Sequence, residues 1–281
     1  MAAGQKPDRV EPQGVGLLNF LSSCRKALAA WRRRLVPASA ETGLPPHGLP
    51  DLEGTSLVDF FQTYLKSQPL DIYYATHATR YSHTIERCEA ALRGARQLLE
   101  LGGHSFIGTF ARDALGASLT EYGDDLRFPF KLPDSDFDVV LALEVLEHIK
   151  DSPLRDDSME WISHFNFSGL QNVFTETFRV LKPGGLFLIT TPNATSVDVL
   201  FKVVSAGHPH IFEPHVRELA PAEVFRLGAE ARFELATFET FFSWTLAPED
   251  FRRNALAYIE AAGFNPAHRG DDAYFEFRKP T

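Results

Sequence analysis

Apolar residues recur at helical spacing through the first third of the chain and then gather into short runs separated by helix-like stretches. Leu17, Leu21, Cys24, Leu28, Trp31 and Leu35 follow alternating steps of four and three, so a helix over Gly14–Pro37 carries them as one narrow seam. Residues 36–54 hold four prolines and three glycines without periodicity and read as a linker. Beyond it, Leu57, Phe60, Phe61, Tyr64 and Leu65 share one helix face that Ser56 can cap, and a second helix covers Tyr74 to about Arg93, ending near Gly94. From Arg96 onward the pattern predicts strands at Gln97–Leu101, Ser118–Tyr122, Phe137–Leu143, Leu186–Thr190, Phe233–Thr237 and Tyr274–Arg278. Helices fall between them at Thr109–Leu115, Glu144–Ile149 and Leu170–Leu181, the last stopped by Lys182-Pro183-Gly184-Gly185. Such alternation is the pattern of a doubly wound α/β sheet with helices on both faces, here with an N-terminal helical extension.

Charge changes this picture at the N-terminus. The 281 residues carry 28 basic against 37 acidic side chains, a net charge of -9. Residues 1–37 hold seven of the basic residues and two of the acidic ones, a balance of +5, so a basic arm precedes an acidic body. The acidic body weighs against a nucleic-acid partner, which needs a basic face. The arm suits either peripheral docking on a membrane through residues 14–37 or packing against protein. No run is long and apolar enough to span a bilayer, Cys24 and Cys88 are too few for a disulfide framework, and the expected compartment is the cytoplasm.

Candidate chemistry collects where ligands of open α/β sheets bind, beyond the carboxyl ends of the strands. After the first strand, Glu100 is followed by Gly102 and Gly103, which let the backbone turn sharply and approach a ligand. Glu144, Glu147 and His148 stand at i, i+3 and i+4, on one face if residues 144–149 are helical. Two carboxylates and an imidazole there can hold a divalent cation, or His148 alone can act as a general base. Three of the ten histidines, His208, His210 and His215, fall within eight residues, which adds a second source of imidazole. Asn193, Tyr73, His77, Arg80 and Tyr81 are further candidates for ligand contact, and Trp161, His164, Phe165 and Phe167 lie in an insertion suited to acceptor specificity.

Three motifs in order carry a family resemblance: Glu100-Leu-Gly102, Phe-Asp-Val-Val-Leu-Ala-Leu-Glu-Val-Leu-Glu-His-Ile over 137–149, and Val-Leu-Lys-Pro-Gly-Gly-Leu-Phe-Leu-Ile-Thr-Thr-Pro-Asn over 180–193. Together they resemble the class I S-adenosylmethionine-dependent methyltransferases, over about residues 70–245. The resemblance implies a Rossmann-like sheet of about seven strands with the cofactor S-adenosyl-L-methionine over the strand ends. It implies that Glu100, Gly102 and Gly103 approach the methionine part, that Glu121 or Asp124 binds the ribose, that Asp124, Asp125 and Leu126 serve the adenine side, and that Arg80 and Glu144 lie near the cofactor. Two departures stand out: His104 replaces the usual second glycine of the loop, and Gly116–Phe130 is shorter than the strand, helix and strand found there in the family.

The Glu-x-x-Glu-His run is also similar to ubiquinone-pathway and magnesium-dependent small-RNA O-methyltransferases. On that analogy Glu144, Glu147, His148 and His210 would hold a divalent cation such as Mg2+, with His148, His210 and Glu147 as the catalytic groups. The reading is an arm and linker over 1–54 and a methyltransferase domain over 55–281, acting on a small-molecule or carbohydrate hydroxyl. The alternatives are an RNA 2′-O-methyltransferase and a non-catalytic protein that binds the cofactor or docks on a membrane.

Overall fold

A computed structural model describes residues 56–67, 72–151 and 168–281, without the side chains of Ser67 and 72–76. The arm, the linker, Cys24, the Tyr73 side chain and the insertion with Trp161, His164, Phe165 and Phe167 lie outside the described residues. In chain order the elements are α1 Leu57–Ser67, α2 Ile72–Gly94, β1 Gln97–Leu101, α3 Phe106–Leu115, β2 Ser118–Tyr122 and β3 Phe137–Leu143. A single 3-10 turn, Leu146–His148, follows, and then α4 Ser168–Val180, β4 Leu181–Pro192, α5 Val197–Val204, α6 Pro221–Glu230, β5 Glu234–Phe241, α7 Glu249–Ala261 and β6 Asp272–Arg278. The described residues fall within one compact unit bounded by Leu49 and Thr281. No helix among them is long and apolar enough to cross a membrane.

The sheet has six strands in the order β2-β1-β3-β4-β6-β5, one fewer than the seven that the family resemblance implies. The difference lies between β2 and β3. Residues 123–136 form turns around Pro129 and Pro133, and a parallel crossover alone takes about a dozen residues, which leaves no length for another strand. Strand β4 begins five residues earlier than its apolar run predicts. Lys182–Gly185 bulge out of it, so the register with β3 jumps from Leu181 opposite Phe137 to Leu186 opposite Val139.

Alternation along the strands divides the apolar residues between two cores, because successive side chains leave opposite faces. Leu98, Val139, Leu141, Leu188 and Tyr274 pack with Phe61, Ile85, Leu92 and Phe110 of α1, α2 and α3. Their strand neighbours Leu99, Val140, Phe187, Ile189 and Phe275 pack with Val173 and Phe174 of α4 and Val224 and Leu227 of α6. Cys88 belongs to the first core, and burial pushes its thiol well above the usual range, as expected of a buried apolar filler.

Strands β1 to β4 are parallel, whereas β6 runs antiparallel between β4 and β5. The first residue of β6, Asp272, therefore sits opposite Pro192 at the carboxyl edge of the parallel strands, where the functional residues gather.

Candidate active site

The chain leaves β1 through Gly102 and Gly103 at φ values of +82° and +112°, a region that side chains other than glycine's rarely enter. Gly102 has no room for a side chain either, since a Cβ there would stand 2.8 Å from Val145 Cγ2. Ser105 then caps α3, accepting from the Gly108 N–H at 3.1 Å, so the loop delivers the backbone directly into a helix N-terminus that favours negative charge. Beneath it the buried Glu100 carboxylate accepts the Ser105 N–H at 3.1 Å. A Cβ on Gly108 would come within 2.2 Å of that carboxylate, so the glycine makes the space it occupies. Burial pushes the Glu100 carboxyl up to about 7, against the pull of the Ser105 hydrogen bonds.

Glu121 is paired with Glu100 in the β1–β2 ladder. Its Oε1 lies 3.1 Å from His104 Nδ1, and Thr109 Oγ1 stands 3.2 Å from the same nitrogen. The residue that replaces the family's glycine thus ties the loop to the end of β2. Asp124, the other ribose candidate, is exposed and paired with Lys131 at 3.0 Å. Of the adenine-side candidates, Asp125 holds Arg127 at 2.6 Å and Leu126 is part of the core.

At the end of β3 the expected helix over 144–149 is not formed. Glu144 adopts φ +57°, uncommon for a residue with a side chain, while its N–H bonds the Thr190 carbonyl at 2.9 Å. Only the single 3-10 turn follows, so Glu144 does not share a helical face with Glu147 and His148. Glu144 Oε1 instead lies 3.3 Å from Nη1 of the buried Arg80 on α2. Glu147 is 0 % exposed and accepts from Thr191 Oγ1 at 3.0 Å. Burial pushes both Glu147 and Asp272 upward, and the Arg80 charge pulls each of them back. The Arg80 guanidinium therefore contacts Glu144, the residue that follows β3, and acts electrostatically on Glu147 of the 3-10 turn and Asp272 of β6.

The histidines sort differently from their order in the sequence. The Glu147 carbonyl accepts the Val216 N–H at 2.9 Å, which ties the 3-10 turn to the segment 211–218. Buried Glu218 gathers that segment, accepting from the Ile211 N–H, from the Phe212 N–H at 3.3 Å and from His215 Nδ1 at 2.9 Å. The His215 ring stands edge-on to His148 at 4.9 Å, and His148 Nε2 lies 3.9 Å from Glu147 Oε1. Burial and the neighbouring His215 bring His148 down to about 4, so its ring is neutral at physiological pH. His210 packs against His208 at 4.6 Å and bonds the His215 backbone, without joining the set of mutually close ligand atoms. The set that comes together is Glu147, His148 and His215, without the Glu144 and His210 of the family analogy.

Two other candidates are occupied structurally. Asn193 is buried, donates to the His268 and Gly270 carbonyls and accepts from Thr195, which closes a turn. Tyr81 is core, wedged between Phe61 and Phe106. His77 meets Trp244 edge-on at 4.4 Å, and burial lowers its ring to about 3. Trp244 escapes sequence reasoning, as do the acids that place it. Asp271 accepts the N–H groups of Ser243, Trp244 and Thr245, while Asp198 accepts those of Leu246 and Ala247. The legible signal was the acidic pair Asp271-Asp272 set directly before the apolar run Ala273–Phe275.

A family described as a methyltransferase domain matches residues 74–227, more than half of the chain. The chain belongs to the S-adenosylmethionine-dependent methyltransferases. The methyltransferase is 29% identical over 212 residues to a protein of Mycolicibacterium smegmatis named as a probable S-adenosylmethionine-dependent methyltransferase, covering 67% of this chain and 70% of the relative. It is 31% identical over 159 residues to the 27-O-demethylrifamycin SV methyltransferase of Amycolatopsis mediterranei, covering 51% of this chain and 48% of that protein. Among solved structures it is similar to a methyltransferase from Archaeoglobus fulgidus at 16% identity and a TM-score of 0.47, with 74% of this chain and 100% of that one covered. An N-methyltransferase from Bradyrhizobium japonicum has 13% identity and a TM-score of 0.42, with coverages of 74% and 98%.

Proposed function

We propose that this methyltransferase transfers the methyl group of S-adenosyl-L-methionine to a hydroxyl oxygen of a small-molecule acceptor, through a catalytic domain spanning residues 55–281. The observation that carries the acceptor class is the Glu147–His148–His215 group at the strand ends: a buried carboxylate beside two imidazoles, with the His148 ring neutral near pH 7. A hydroxyl, unlike a neutral amine with its free lone pair, becomes a strongly acidic oxonium as it is methylated. Even a weakly basic neutral imidazole then takes its proton. Glu147 is the partner that would stabilise the resulting imidazolium, at 3.9 Å. The relative from Amycolatopsis mediterranei, whose name gives a 27-O-demethyl compound as its acceptor, points the same way.

In this reading Gly102 and Gly103 bring the backbone against the methionine part of the cofactor, and Glu100 meets its ammonium. Glu121, which the β1–β2 ladder sets beside Glu100, takes the ribose hydroxyls in preference to Asp124, which lies beyond the end of β2 and is more exposed. Arg80 offers its guanidinium to the cofactor carboxylate while holding Glu144. The sulfonium is already activated, so the chain's task is to align oxygen, methyl carbon and sulfur and to remove a proton.

Calorimetric titration with S-adenosylhomocysteine, followed by transfer of labelled methyl from S-adenosyl-L-methionine to a panel of hydroxylated small molecules and to total RNA, tests the proposal. Cofactor binding with label in the small-molecule extract supports it. Label confined to RNA, or no cofactor binding, overturns it.

A further inference from the structure

We propose that Glu147, His148 and His215 form a binding site for one divalent first-row transition cation of the Zn2+, Mn2+ and Fe2+ class. Its existence is independent of the methyltransferase reading; only its use there, to hold the acceptor oxygen, rests on that reading. One ligand atom from each of the three residues lies within 4.8 Å of the others. Glu147 is 0 % exposed, and its two oxygens are used unequally: Oε2 is held by Thr191, while Oε1 has no hydrogen-bond partner and lies on the His148 side. Leaving a buried carboxylate oxygen unsatisfied is costly, and a cation beside it removes that cost.

His215 is prepared in the manner of a metal ligand. Its Nδ1 is committed to Glu218 at 2.9 Å, which fixes the ring's orientation and leaves Nε2 as the nitrogen to offer a cation. Glu218 is itself held by the Ile211 and Phe212 N–H groups. The Val216 N–H to Glu147 carbonyl bond locks the two ligand-bearing segments together. Ligated nitrogen and oxygen donors sit about 2.0–2.2 Å from such an ion, so the three atoms must draw closer. The His148 side chain, 49 % exposed, has the freedom to do this and leaves one side of the ion open to solvent or acceptor. Two imidazoles and one carboxylate suit transition cations better than Mg2+ or Ca2+, which prefer all-oxygen sets. Glu144, paired with Arg80, and His210, packed on His208, lie outside the set. When bound, the cation would lower the pKa of an attached hydroxyl and orient its oxygen, so that in the loaded protein His148 would serve as a ligand and not as the proton acceptor.

The full chain, stripped with EDTA and dialysed, is titrated with Co2+ by visible absorption and with Zn2+ by calorimetry, in the absence of cofactor and acceptor. The expected result is one ion per chain with ligand-field bands from Co2+. Affinity should fall at least about tenfold in His215→Ala and in Glu147→Gln, and about 10–100-fold in Glu218→Gln. Binding of S-adenosylhomocysteine by each variant verifies its fold, and His148→Ala, at a half-exposed ring, repeats the test if a buried substitution does not fold. No stoichiometric binding by the unaltered chain, or binding unchanged in a folded His215→Ala or His148→Ala, overturns the proposal. Loss of S-adenosylhomocysteine binding by the unaltered chain while cation binding persists would count against the methyltransferase reading instead.

Discussion

Gly108 and Glu100 share a space too small for one more methyl group, and that contact couples the glycine loop after β1 to a titratable acid. Gly108→Ala would set a carbon 2.2 Å from the Glu100 carboxylate, so the acid must move. The substitution is expected to cost about 1–3 kcal/mol of stability and to weaken S-adenosylhomocysteine binding markedly, as read by urea unfolding and calorimetry. The raised Glu100 carboxyl has its own consequence. Its value of about 7 in the folded chain, against an ordinary 4.5, means that the folded state binds more protons between those two values. Its contribution to stability is therefore fully present below the lower value and is lost as pH rises toward the higher one. An ammonium-bearing cofactor favours the ionised acid, so affinity for S-adenosylhomocysteine should rise as pH climbs through about 7. A calorimetric pH series on the unaltered chain and on Glu100→Gln checks this: the rise should flatten in the variant.

Helix α6 lies close enough to β6 that only glycine fits at the crossing. A Cβ on Gly228 would stand 2.3 Å from Phe277 Cε1, a fully buried ring in the aromatic group with Phe174 and Phe233. Gly228→Ala should therefore destabilise the chain by about 1–3 kcal/mol despite the better helix propensity of alanine, seen as a lower urea midpoint at unchanged slope. Just before β6, Asp271 holds three consecutive N–H groups of the loop that presents Trp244. Asp271→Ala leaves these donors without their acceptor, at a cost of about 1–3 kcal/mol. Amide hydrogen exchange over residues 243–247 should accelerate more than exchange in β4.

At the scale of the molecule, the two faces of the sheet are covered by helices that all belong to the unit beginning at Leu49. If the catalytic domain is residues 55–281, that fragment should fold cooperatively and bind S-adenosylhomocysteine as tightly as the full chain. Aggregation of the fragment, or weaker binding, would mean that the basic arm has a part in the fold.

The strands and the glycine loop after β1 were legible from the residues alone. Burial on both faces demands continuous apolar runs such as 137–143, and a sharp turn after a strand demands residues such as Gly102 and Gly103, so both kinds of information are local. The shortness of the chain between β2 and β3 was visible in the sequence, but that it costs the sheet a strand is seen only in the six-stranded order. Only the tertiary structure decided which charged groups meet. Arg80 from α2, Glu147 from the 3-10 turn and Asp272 from β6 converge because β6 returns antiparallel and brings its first residue to the carboxyl edge of the sheet. The same holds for His215 in place of His210: a histidine's neighbours are set by the fold of its loop around Glu218, which spacing along the chain does not encode.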